Sequence, residues 1–241
     1  MSDISARPKL PWIVDKWCQF LNFCSSSLPP GPKFVPMNYV INFQKGGTLI
    51  LCLFLLNKYH AFDSPQCMAY TALHGSYGLC WLLKELVFPD PKWSVKITAS
   101  SAMASILVVL GPYWLAAFLL MSGQGTLRTP IEILATSLIY VLGLVIMMGS
   151  DCQKYFLLKE RKGLITNGFF ARVRHPNYLG EMMIYGSFAY LSGHPIPWVV
   201  VSYVWALIFL PNMLQKEASM SRYPQWKAYL SRSGFLFPQW N

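Results

Sequence analysis

The chain has 241 residues and a formal net charge of +10; 54% of its residues are hydrophobic and only 12% are charged, about half the ~25% charged share of an ordinary soluble domain. That balance excludes a soluble globular domain and points to a multi-span membrane protein. The basic excess is accounted for by membrane orientation and anionic lipid, so nucleic-acid binding is not implied. The six cysteines, Cys18, Cys24, Cys52, Cys67, Cys80 and Cys152, form no C-x-x-C pattern, and the four histidines are not at ligand spacing. Neither a disulfide framework nor a metal site is expected.

In chain order, residues 1–36 are polar, proline-rich and basic, without the apolar core of a cleavable signal. "SSSLPPGP" (25–32) reads as a linker or interfacial loop. Six apolar segments follow, at 40–56, 67–83, 98–121, 131–149, 179–192 and 197–214, several of them within the ~17–25 residues a membrane helix needs. Pro112 in "LGPYW" is expected to kink or locally end the third. The fifth is short and reads as tilted or partly re-entrant. "HPIP" (194–197) is a stiff turn that makes the fifth and sixth a helical hairpin. The predicted fold is therefore all-α, with about six transmembrane helices, in three parts: 1–38, 39–149 and 150–241.

Lysine and arginine support this count. With both termini cytosolic, segments 1–45, 84–96, 151–178 and 215–241 hold eighteen of the twenty basic residues, and only Lys58 and Arg128 lie opposite. A split of that size follows the positive-inside rule and would be scrambled by a missed span.

Two stretches carry polar groups into apolar surroundings. In "MAYTALHGSYGLCWLLKELVF" (68–88), His74, Tyr77, Trp81 and Lys84 follow three- and four-residue spacing on one helix face, with Glu85 beside its end. An imidazole inside a span needs a partner, whereas Lys84 and Glu85 also suit snorkelling to the interface. Gln44 and Lys45, at the start of the first span, are weaker candidates. The second stretch is "SDCQKYFLLKERKGLITNGFFARVRHPNYLGE" (150–181). Pro176 is placed to open a helix, with Arg174 and His175 just before it, Asn177 and Glu181 four apart on one face, and Tyr178 between. Free amides, a helix dipole and basic side chains suit phosphate. Glu181 is costly in lipid unless it faces a partner or a polar cavity. The tail 210–240 carries Lys216, Glu217, Arg222 and Tyr223, which can fold back over this loop, and Trp226, Tyr229, Phe235 and Trp240, which suit a bilayer interface.

"DCQKYFL…GLITNGFFARVRHPNYLGE" with "KEASMSRYPQWKAYLSRSGFLFP" resembles the C-terminal half of the steroid 5α-reductase-like membrane enzymes over about 150–241. More broadly it is similar to the sterol reductases and the isoprenylcysteine carboxyl methyltransferases, which share an R-H-x-x-Y-x-G core. The resemblance implies an integral, multi-pass enzyme, of the endoplasmic reticulum by analogy. Its 150–241 half would bind NADPH from the cytosolic side and its 39–149 helices would face a lipid-like substrate. Carried over by position, Asp151, Arg174, His175, Asn177, Tyr178 and Glu181 would belong to the cofactor pocket, with Lys216 and Arg222 the nearest basic groups in the tail.

Reduction of a conjugated C=C bond needs hydride delivery over an apolar substrate and an acid that polarises the carbonyl. Tyr77 or Glu85 could be that acid, with His74 orienting either. Two other readings stand beside the reductase. One is a methyltransferase using S-adenosylmethionine on a prenylcysteine carboxylate or phospholipid amine; the other is a non-enzymatic lipid-binding or assembly subunit. Three features favour the reductase: Glu181 after Gly180, a single Glu217 preceded by Lys216, and a basic 151–178 loop better matched to a polyanion than to a sulfonium.

Overall fold

The computed structural model describes residues 10–28 and 31–239. Part of the 25–32 loop and Trp240 lie outside the described residues. The elements run α1 (Trp12–Ser26), β1 (Val35–Pro36), α2 (Met37–Lys58), α3 (Pro65–Val87), β2 (Lys96–Ile97), α4 (Ala99–Met121), α5 (Pro130–Glu160), α6 (Pro176–Leu191), α7 (Pro195–Met220) and α8 (Trp226–Leu230). The two short strands pair antiparallel, with Val35 opposite Ile97. The protein is thus an all-α membrane protein, and each of the six apolar segments lies in one of α2 to α7.

Helix starts follow from local chemistry. Pro65, Pro130, Pro176 and Pro195 each occupy the first turn, where their missing N–H costs nothing. Ser64 caps α3, and Thr129 with Glu132 forms a reciprocal capping box on α5. The turn between α6 and α7 falls at 192–194, with Gly193 at φ 66°. "HPIP" therefore opens α7 more than it forms the turn, and the hairpin is as expected.

Four helices, α2, α4, α5 and α7, are long and apolar enough to cross a bilayer on their own. The other two lean on protein: α3 buries a polar face, and α6 has only 16 residues. With 31 residues, α5 is about 46 Å long at 1.5 Å per residue. That exceeds the ~30 Å hydrocarbon layer, so one end of α5 projects beyond it. Phe43, Ile50, Phe54, Leu107, Leu142 and Val199 are exposed and form a belt suited to acyl chains.

Pro112 disturbs α4 as anticipated: a π-helical turn, Ser105–Leu110, and a 3-10 turn, Gly111–Tyr113, surround it. A second π turn, Trp205–Phe209, interrupts α7. Such turns free carbonyls that lipid cannot satisfy, and side chains take them up. The Tyr203 hydroxyl donates to the Val108 carbonyl, and the Trp17 indole donates to the Leu207 carbonyl at 2.6 Å.

Two close helix approaches fix the interior. A Cβ on Gly180 would sit 2.6 Å from the Met147 amide nitrogen, and one on Gly143 would sit 2.8 Å from the Gly180 carbonyl. Only glycine lets α5 and α6 approach this closely. Gly78 likewise abuts the Lys45 carbonyl, which brings α2 against α3. Ion pairs Lys84–Asp151, Lys154–Asp90 and Arg174–Glu217 place segments 84–96, 151–178 and 215–241 at one end of the bundle. Arg128, Glu132 and Tyr190 cluster elsewhere.

Candidate functional site

At the basic end, Lys84 of α3 pairs with Asp151 of α5 at 3.3 Å, its side chain only 3% exposed. One turn on, Lys154 bridges Asp151 at 3.5 Å and Asp90 at 3.4 Å. Asp90 caps the short 3-10 turn Pro91–Ser94 through the Lys92 amide. These residues line a cavity of about 400 Å³ that Phe88, Tyr155 and Lys159 complete. Lys92 and Lys216 act electrostatically on the same groups. Burial alone would raise the Asp90 carboxyl, but Lys154, the Lys92 amide and Lys84 together hold it below its usual range. Burial lowers the Lys92 ammonium, with Asp90 opposing. The cavity wall thus carries three lysines, Lys84, Lys154 and Lys159, against two aspartates, with Lys92 and Lys216 in electrostatic range, a surplus that favours an anion.

Beside the cavity the tail folds back over the 151–178 loop. Glu217 of α7 accepts from Arg174 Nε at 2.8 Å and from His175 Nε2 at 3.0 Å. The Arg174 guanidinium also donates to the Ser233 carbonyl and lies 5.9 Å from the Trp226 and Phe235 rings. Backbone bonds at 2.9 Å run from Arg174 N to Gly234 O and from Gly234 N to Arg172 O. Tyr229, raised to about 12 by burial, stays protonated and donates to the Phe170 carbonyl at 2.7 Å. Burial lowers the His175 imidazole, and Glu217 opposes that shift. Arg174 and His175 therefore brace the tail.

On α6, Tyr178 is buried against Phe209, with Lys216 Nζ 4.5 Å from its ring centroid. Asn177 is half-buried on the first turn. Glu181 is half-buried one turn deeper, within electrostatic range of Lys45, Asp151, Lys84 and Lys216. Lys45 is 4% exposed and donates to the Tyr185 hydroxyl. Tyr185 in turn donates to the Tyr77 hydroxyl at 3.5 Å.

The structure brings together Asp151, Tyr178, Glu181 and Lys216 around the basic end, with Arg174 and His175 adjoining through Glu217. Tyr77 lies deeper, linked through Tyr185 and Lys45. His74 is a core histidine here: Nδ1 bonds the Tyr70 hydroxyl at 2.9 Å, and the ring stacks on Phe188 at 4.0 Å. Glu85 sits apart and accepts from Asn38 at 3.0 Å. Arg222 is exposed and bonds only its neighbour Tyr223 among the contacts of the described residues. Sequence reading passed over Asp90, Lys92, Lys154 and Tyr185. It also placed Lys45 at the mouth of the first span, whereas α2 begins at Met37 and Lys45 lies two turns inside.

Fold and site together define a multi-helix membrane protein with a lysine-bearing cavity at one end and a tyrosine-rich apolar interior. The chain belongs to the family described as "Protein of unknown function (DUF1295)", whose model matches residues 101–232, more than half its length. It is 23% identical over 223 residues to a Delta(14)-sterol reductase of Arabidopsis thaliana, covering 83% of this chain and 60% of that protein. It is also 30% identical over 92 residues to an uncharacterized protein of Schizosaccharomyces pombe, covering 36% of this chain and 27% of the relative. The chain thus spans less than two thirds of either relative. No solved structure matches it.

Proposed function

We propose that this protein is an NADPH-dependent membrane oxidoreductase that reduces a C=C bond of a lipid-like substrate, with the basic end and both termini in the cytosol. The observation that carries the reading is a cavity of about 400 Å³ walled by Lys84, Lys154 and Lys159, with Glu181 of α6 in electrostatic range of its Lys84 and Asp151. A polyanionic dinucleotide matches that surplus of positive charge. The distant likeness to a sterol reductase supports the same chemistry.

The side chains fit such a group. Lys154, Lys159 and Lys216 would hold its phosphates. Asp151 would keep Lys84 in place, and Asn177, Tyr178 and Glu181, on the first turns of α6 and not in the cavity wall, would meet a group that extends along that helix. Arg174 and His175 act through the tail, because Glu217 and Ser233 already engage them. Bound NADPH supplies the hydride; the protein excludes water and supplies the proton. Cationic S-adenosylmethionine meets an unfavourable field at the same cavity.

The test is thermal unfolding of the detergent-solubilised full chain with each ligand. A ligand that binds only the folded state raises the midpoint by mass action. NADPH is expected to raise it and S-adenosylmethionine to leave it unchanged. The reverse would make the methyltransferase the better reading, and no effect from either would favour a non-enzymatic subunit.

A further inference from the structure

We propose that α1 lies in the plane of the membrane, in the leaflet at the basic end, with one face among acyl chains and its lysine on anionic phospholipid headgroups. The inference is independent of what the cavity binds.

α1 is docked along one edge. Cys18 is buried, with its Sγ 3.8 Å from the Pro211 carbonyl of α7, and the Trp17 indole reaches the Leu207 carbonyl. At the other end, the Thr98 amide donates to the Ser26 carbonyl at 3.4 Å and the Leu28 amide donates to Ser101 Oγ at 2.9 Å. The helix therefore bridges residues 99–104 of α4 and 210–220 of α7. Both stretches are the basic ends of their helices, so α1 sits where the spans leave the bilayer.

At about 3.6 residues per turn, α1 divides into three arcs. Val14, Trp17, Cys18 and Leu21 face the protein and are buried or half-buried. Asp15, Gln19 and Asn22 form a polar arc, in which Gln19 donates to Asp15 at 2.8 Å. Trp12, Ile13, Phe20 and Phe23 form the third arc, and their exposures run from 45% to 74%. An isolated helix of 15 residues is marginal in water and needs a buried apolar face to hold it. Docking on protein fully buries Cys18 alone. Four large apolar side chains on one arc complete that burial at the boundary between headgroups and acyl chains.

Two observations name the occupant. The surface is continuous with the acyl belt, because Met103 and Leu107 of α4 and Leu207 and Leu210 of α7 are exposed on the two helices that α1 bridges. The charge also fits. Lys16 stands within the apolar arc, where its stem can lie along the rings while its ammonium rises to the phosphates. Lys33 and Lys96 are exposed at the β1–β2 ribbon, next to the exposed Phe34 and Val95. Across the described stretches 10–28, 31–36 and 92–98, these three cations and Lys92 meet one carboxylate, Asp15, which lies on the polar arc. An apolar face set with lysines matches an anionic leaflet.

The test uses the full chain in nanodiscs of phosphatidylcholine and phosphatidylserine in equal parts, with one lipid or the other carrying a diazirine midway along an acyl chain. After illumination, mass spectrometry locates the adducts. They are expected on Trp12, Ile13, Phe20 and Phe23, with Asp15 and Asn22 unlabelled, and in greater yield from phosphatidylserine. Lys16→Gln is expected to cut that preference by up to about fivefold, the worth of one lysine near an anionic surface. Labelling of the exposed Phe54 on α2 stays as in the parent and reports an intact fold. A labelled Phe54 with α1 bare, or labelling spread evenly over the three arcs, overturns the placement. An unchanged preference in Lys16→Gln overturns the anionic assignment. An amine-reactive link between Lys16 of two copies, with α1 free of lipid adducts, would make a second copy the occupant and overturn the proposal.

Discussion

Lys84 of α3 and Asp151 of α5 meet at 3.3 Å inside the bundle, with side chains 3% and 11% exposed, and so tie the two halves of the chain together at the cavity wall. Removing one member of a buried pair leaves a charge without its partner, which costs about 3–5 kcal/mol. Lys84→Met is expected at the lower end, about 3 kcal/mol, because Lys154 still reaches Asp151 at 3.5 Å. Replacing both, as Lys84→Met with Asp151→Leu, is expected to recover most of that loss. Unfolding of Lys84→Met, Asp151→Leu and the double variant in detergent checks this, and simple additivity would contradict it.

Cofactor discrimination separates Lys154 from Arg174. Lys154, 29% exposed on the cavity wall, holds Asp90 and Asp151 only at 3.4 and 3.5 Å and can share its ammonium with a phosphate, whereas Arg174 is held at 2.8 Å by Glu217 and also by Ser233. Lys154→Ala is expected to weaken NADPH about tenfold more than NADH, the size of one charge-assisted hydrogen bond. Arg174→Ala is expected to weaken both equally and to expose the tail beyond Tyr223 to protease. Binding titrations with the two dinucleotides decide between these roles.

The His175 imidazole gives the stability a pH dependence. Burial holds it below its usual value despite Glu217, with Lys216 and Arg174 also disfavouring protonation. Between the folded value and the unfolded value of about 6.5, the unfolded chain binds more protons, so stability falls as pH drops through that window. A decline in melting temperature from about pH 7.5 to 5.5 is expected. His175→Gln should flatten that part of the curve.

Helix approach gives a packing test. Gly180→Ala puts a Cβ 2.6 Å from the Met147 amide nitrogen, and overpacking of this kind costs about 1–3 kcal/mol. Gly163→Ala, with nothing within 4 Å of its added Cβ, is expected to change stability little. Equal melting temperatures for the two variants would contradict the close packing of α5 on α6.

Much of the fold was legible because apolar run length and proline position are local signals: all six predicted segments are helices, and Pro112 marks the irregular turn of α4. Charge segregation also grouped segments 84–96, 151–178 and 215–241, and their ion pairs meet at one end. Pairing was not legible. Arg174 and Glu217 are 43 positions apart, and spacing cannot reveal that a carboxylate from α7 occupies that guanidinium. Lys45 looked like a mouth residue because the apolar run starts near residue 40, whereas α2 begins at Met37 and carries it inward. Its contact with Tyr185, 140 positions away, depends on how α2 and α6 face each other, which no single-helix pattern encodes. His74 was conspicuous as an intramembrane imidazole, and Tyr70, four residues earlier, supplies the partner it needed.

The most direct measurement follows the hydride itself. Membranes holding the protein are incubated with NADPH deuterated at the reactive nicotinamide carbon, and the extracted lipids are examined by mass spectrometry. The account predicts deuterium at a C–H position of a lipid, present with the parent and lost with Glu181→Gln. Lipids that stay unlabelled, while methyl-labelled S-adenosylmethionine transfers its label, would contradict it.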